Sequence, residues 1–144
     1  MSYATLQDLL GHMAESDLVD LTDDNAVNEI DQVVVDHVLA DATAVVNSYC
    51  GKYALPFNPV PEMARILTTN IAIFTLYARR PGHELPEAIK ERYRKAMEHL
   101  QRVQTGSASM GVDLPLAETG GSGGQSGLAP GNERIFRRDQ TRWF

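Results

Sequence analysis

Cysteine is nearly absent from this chain of 144 residues, and its one copy, Cys50, excludes an internal disulfide. The neighbours Val46, Tyr49 and Tyr53 mark Cys50 as a small buried hydrophobe and not a nucleophile. Long apolar runs are missing too. None approaches the ~18 to 20 residues that span a bilayer, and the N-terminus has no basic start followed by an apolar h-region. A soluble chain is expected, without a membrane partner or a signal peptide. Positive charge is scarce where the composition permits a core. Residues 1–105 carry 9 Lys or Arg against 15 Asp or Glu and residues 106–144 carry 4 of each, so the formal charge of −6 belongs to the first part. Such a body is a poor grip for a phosphate backbone. Also missing is a Ser or Cys set beside a His as a nucleophile would need, and a cluster with metal-ligand spacing. His37 and Asp41 stand four apart with no third ligand near, and TGGSGG lacks both a preceding strand and a Lys-Ser or Lys-Thr. No catalysis and no cofactor are expected.

What the chain does contain is helical periodicity. The most apolar segment, residues 61–79, places Met63, Leu67, Asn70 or Ile71, Phe74 and Tyr77 or Ala78 on one face, and Ile66, Ile73 and Leu76 widen the stripe. A helix apolar over so much of its circumference needs partners on several sides, so it is expected at the centre. Pro61 suits its first position, and Arg79, Arg80 and Pro81 its end. Before it, Ser2 or Thr5 caps a short helix bearing Leu6, Leu9, Leu10 and Met13, and a second short helix over residues 16–21 buries Leu18, Val19 and Leu21. The longest helix is expected over residues 28–51. Its principal face is Ile30, Val34, Val38, Ala42, Val45 and Tyr49, with Val35, Leu39 and Val46 beside it and Gly51 as its stop. A last helix from Pro86 to about Thr105 presents Ile89, Tyr93, Ala96 or Met97, Leu100 and Val103 as a seam, with Arg92, Arg94, Lys95 and Arg102 on the solvated side. The expected fold is all-α, about three long and two short helices with an extended C-terminal tail.

Two connections carry further information. DLTDDNAVNEID, residues 20–31, partly imitates a calcium loop, but Asn25 stands where that loop wants Gly and Asp31 where it wants a bidentate Glu. A turn whose Thr, Asp and Asn side chains cap the next helix accounts for the same residues. KYALPFNPVP holds three prolines within six residues and reads as a rigid extended connector. Its alternating Tyr53, Leu55 and Phe57 imitate a strand, which would need a partner strand, one from a neighbouring subunit for example.

Three parts follow from composition: a helical body over 1–105, a Gly/Ser-rich linker over 106–133, and a basic aromatic peptide over 134–144. In the last, Arg134, Arg137, Arg138 and Arg142 interleave with Ile135, Phe136, Trp143 and Phe144. Arg and aromatic side chains dominate interface hot spots, so a tethered docking peptide is expected, the plainer alternative being a sticky unstructured end. The 28 linker residues reach roughly 90 Å fully extended and about 30 Å as a flexible coil.

Taken in order, SYATLQDLL, LTDDN, ADATAVVNSYCGKYALPF, VPEMARILTTNIAIFTLY, ERYRKAMEHLQRV and RIFRRD resemble the head-tail connector, or adaptor, proteins of tailed phages of the Mu-like prophage type. The chain departs from that pattern at Asn47 and Asn70, where members carry an acid, and near Ile73, where an Arg is frequent. The resemblance implies a non-enzymatic structural protein of the virion neck, present in the host cytoplasm during assembly. It implies a ring, commonly dodecameric, of neighbouring copies under the portal ring, joined to a tail-completion or stopper protein and passed transiently by DNA. In that setting Asp17, Asp20, Asp23, Asp24 and Glu29 are candidates to line or flank the DNA channel, where like charge keeps phosphate from sticking. The alternatives are a DNA-binding packaging or regulatory protein, which wants a basic recognition helix, and a tail-completion (terminator) protein.

Overall fold

In the computed structural model, residues 1–114 are described, and over them the chain forms five helices and no strand. They are α1 (Leu6–Leu10), α2 (Glu15–Thr22), α3 (Gln32–Tyr49), α4 (Glu62–Ala78) and α5 (Glu87–Thr105). The all-α class and the division into two short and three long helices are as the periodicity predicts. Helix α4 is central: it packs on α3 and α5, and both short helices lie against it. Ala64, Leu67, Ile71, Ala72, Ile73 and Leu76 are buried, while Ile66 points outward at 42% exposure. Each buried Leu or Ile contributes roughly 1.5 to 3 kcal/mol relative to exposure.

Local signals explain the ends. Thr5 caps α1 through a reciprocal box with Asp8, each side chain meeting the other's backbone N–H. Asp31 caps α3, its carboxylate accepting from the N–H groups of Val33 and Val34. Helix α3 therefore starts four residues later than the periodicity suggests, because Ala26 and Asn28 hold positive φ and Ile30 stays outside the helix. Pro61 and Pro86 are cap residues with extended backbone, one position earlier than expected, and Glu62 and Glu87 occupy the positive first turns.

The face of α3 that turns inward differs from the expected one. Val35, Val38, Leu39, Ala42 and Val46 are buried, whereas Val34, Val45 and Tyr49 are half-buried at its margin. Two adjacent apolar rows compete on this valine-rich helix, and packing against α4 selects the row centred on Val35, Leu39 and Val46. Val19 of α2 is likewise only half-buried. Cys50, next to this row, is fully buried, and burial pushes its thiol up to about 11.

The connector from α3 to α4 is built of turns. Phe57 is buried, Tyr53 half-buried and Leu55 exposed. The rings of Tyr3 and Tyr53 each lie 5.6 Å from that of Phe57. The strand-like alternation is not realised, because the Phe57 N–H finds its acceptor in the Tyr3 hydroxyl at 3.1 Å and needs no neighbouring strand. That hydroxyl donates in turn to Asn47 Oδ1 at 2.6 Å, and the Tyr3 N–H donates to Thr43 Oγ1. One residue thus joins the N-terminus, α3 and the connector.

The packed body continues past Thr105. Gly106 ends α5 at φ +93°, and the N–H groups of Ser107 and Ala108 return to the Arg102 carbonyl. The chain then lays Met110 into the core, where its N–H donates to Tyr53 Oη at 3.1 Å. Packing carries the compact unit through to Val112.

Candidate interaction site

The loop from α2 to α3 is the most heavily organised polar feature of the body. Its framework is set by Thr22, whose hydroxyl donates to the Leu18 carbonyl and accepts from the Asp31 N–H. Asp23 accepts from the N–H groups of Val27 and Asn28 at 3.0 and 2.6 Å, and these bonds hold its carboxyl below the ordinary aspartate value of 3.8. Asp24 is gripped by two guanidinium groups, from Arg79 at 2.7 Å and Arg80 at 2.8 Å, and the Arg79 bond first among these contacts lowers its carboxyl. The same arginines donate to the carbonyls of Leu21 and Asp23. They therefore satisfy acceptors at the end of α2 while neutralising Asp24. Sequence reading assigned Arg79 and Arg80 only to the end of their own helix.

The five acids singled out from sequence fall into two groups. Asp23 and Asp24 are bound into this loop. Asp17, Asp20 and Glu29 are exposed, and none has a cation within ion-pair distance among the described residues. Asp20 and Glu29 share a cleft with Glu15, Val19 and Ile30; Asp17 is not part of its lining. Of the oxygens that imitate a calcium loop, at Asp20, Thr22, Asp24 and Asp31, the last three are engaged as caps and ion-pair partners and Asp20 is exposed. Among the described residues no three His, Cys, Asp or Glu side chains come together as a metal-binding group, and no helix is long and apolar enough to cross a membrane. Arg134, Ile135, Phe136, Arg137, Arg138, Arg142, Trp143 and Phe144 lie outside the described residues.

A second feature lies between α4 and α5. Phe74 and Tyr93 stack at 3.9 Å between ring centres, and further along the same pair of helices a groove opens. Met63, Leu67, Asn70 and Ala96 line its inner side, with Arg92, Lys95, Glu98, His99 and Arg102 along its α5 edge. These basic residues were expected on the solvated face opposite the seam. Arg92, Arg94, Lys95 and Arg102 are all exposed, as expected; Arg94 pairs with Glu91 and Glu98, and the other three also edge the groove beside α4.

Asp8 ties α1 to the core helix through Arg65 at 2.6 Å. Partial burial pushes the Asp8 carboxyl up, but the Thr5 N–H and the Arg65 guanidinium outweigh it and hold the group low. The sequence matches the family model described as Bacteriophage Mu, Gp36, over residues 3–126. The chain belongs to that family. This Gp36-family chain is accordingly a phage protein, and the match spans the whole helical body described above. No curated protein matches it. Asn47, a departure from the acid expected there, is the acceptor of the Tyr3 hydroxyl. Ile73, near which an Arg was expected, is buried.

Proposed function

We propose that this chain is the head-tail connector of its phage: a structural, non-catalytic protein that forms a ring under the portal, joins capsid to tail and lets DNA pass. The observation that carries the reading is membership of the Mu Gp36 family over residues 3–126, read with the end-to-end resemblance to adaptor proteins. The geometry supports it in two ways. A compact helical body with rigid polar loops suits stacking between larger rings, and exposed Asp17, outside the cleft that holds Asp20 and Glu29, gives a surface to which DNA phosphates do not adhere. Residues 134–144 supply the anchor, with aromatic rings entering apolar pockets on the portal and arginines pairing with its carboxylates. Many copies in a ring turn modest single-site affinity into a stable joint. The test is co-sedimentation with portal rings after deletion of residues 134–144. A folded body that no longer stays on the portal is expected; retention at the full-length level overturns the anchor.

A further inference from the structure

Charge is divided along this chain more sharply than its total suggests. Residues 1–51 contain 10 Asp or Glu and no Lys or Arg, whereas residues 52–105 contain 9 Lys or Arg and 5 Asp or Glu. The fold joins some of these across the division, through Asp8–Arg65 and Asp24 with Arg79 and Arg80. Among the charges outside these pairs, two groups lie at opposite ends of α4. Asp20 and Glu29 remain at the α2–α3 loop, and Arg92, Lys95 and Arg102 at the α4–α5 groove, with no ion-pair partners among the described residues. The loop is clamped at the C-terminal end of α4 by Arg79 and Arg80, while the groove is built on Met63 and Leu67 near its N-terminal end. At 1.5 Å per residue these are roughly 18 to 25 Å apart along the helix, well beyond the ~8 Å screening length in physiological salt. The two surfaces of one copy therefore do not satisfy each other.

We infer that the groove of one copy receives the α2–α3 loop of a second copy, head to tail. The loop has the form of a plug. Val27 is 61% exposed at its tip, and the backbone beneath is fixed by Asp23, Thr22 and the two arginines, so little ordering entropy is lost on docking. Val27 meets half-buried Met63, beneath which Leu67 and Ala96 belong to the core, while Asp20 and Glu29 meet Arg92, Lys95 and Arg102. A contact between two different patches of identical chains is heterologous, and it makes a ring where its rotation divides a full turn without rise and an open filament otherwise. The inference rests on the connector reading for its purpose, and it specifies which surfaces make the ring.

The experiment uses the full-length chain in sedimentation velocity over a range of concentration and salt. Relative to the parent, R92E/K95E and D20K/E29K should each weaken self-association by at least about tenfold, and the chain carrying all four changes should recover it. Circular dichroism checks that each variant folds. A parent that stays monomeric at the highest attainable concentration, reversals without effect, or four changes that fail to restore association would each overturn the inference. A DNA mobility shift lost in R92E/K95E and kept in D20K/E29K would also overturn it, making the groove a nucleic-acid surface. Neck particles assembled with R92E/K95E separate the two readings. Rings of unchanged stability there sink the groove contact and leave the connector standing, whereas parent chains that associate in solution but are absent from the neck do the reverse.

Discussion

Two of the irregular segments that link the helices of this body, those on either side of α3, are held by opposite physics. The α2–α3 loop is fixed by carboxylates, guanidinium groups and backbone N–H donors, with Val27 facing outward and Ile30 half-buried. The α3–α4 connector is fixed by rings: Phe57 between Tyr3 and Tyr53, with Met110 arriving from beyond α5. The first is rigid yet available to a partner, and the second is rigid because it is core. The difference teaches where a small helical protein can place a recognition surface: in a loop whose order does not depend on burying its tip.

Truncation in the aromatic connector should have the largest effect on stability. Phe57→Ala removes the ring on which Tyr3 and Tyr53 both pack, and a loss of about 3 to 5 kcal/mol is expected by urea denaturation. Tyr3→Phe keeps the ring but leaves the buried Phe57 N–H without its acceptor, costing about 1 to 3 kcal/mol. Neither loss should vary between pH 4 and 7. A Tyr3→Phe variant as stable as the parent would mean that the connector is held by packing alone.

The polar loop should answer to acid instead. Asp23 and Asp24 there, like Asp8 on α1, have folded-state values below the ordinary 3.8. For a lowered value the stabilisation is complete above the unfolded value and lost as pH falls through the folded one. Melting temperature should therefore hold steady down to about pH 4 and drop below it. Asp24→Asn should lower the plateau slightly and flatten the drop, a smaller effect than either connector substitution because the carboxylate is exposed. An unchanged acid profile would show that the arginine clamp contributes nothing.

The sequence made the helices legible and left their partners hidden. Thr5 and Gly106 are local signals that placed ends of α1 and α5 to within a few residues, whereas the cap at Asp31 was read past and α3 was expected to start at residue 28. The row of α3 that faces inward was not legible, since two apolar rows lie side by side and only α4 distinguishes them. Nor was the clamp, because Asp24 and Arg79 are separated by 55 residues and no local pattern links them. Tyr3 was read past for the same reason: its partners Thr43, Asn47 and Phe57 lie 40 or more residues away. The basic edge of the groove is periodic, and a solvated face has the same periodicity until α4 is set beside it.

The most direct test of the connector reading is electron cryo-microscopy of the purified virion neck at residue resolution. It should show this chain as a closed ring between portal and tail, with residues 134–144 seated on the portal. A neck built without this chain would contradict the account.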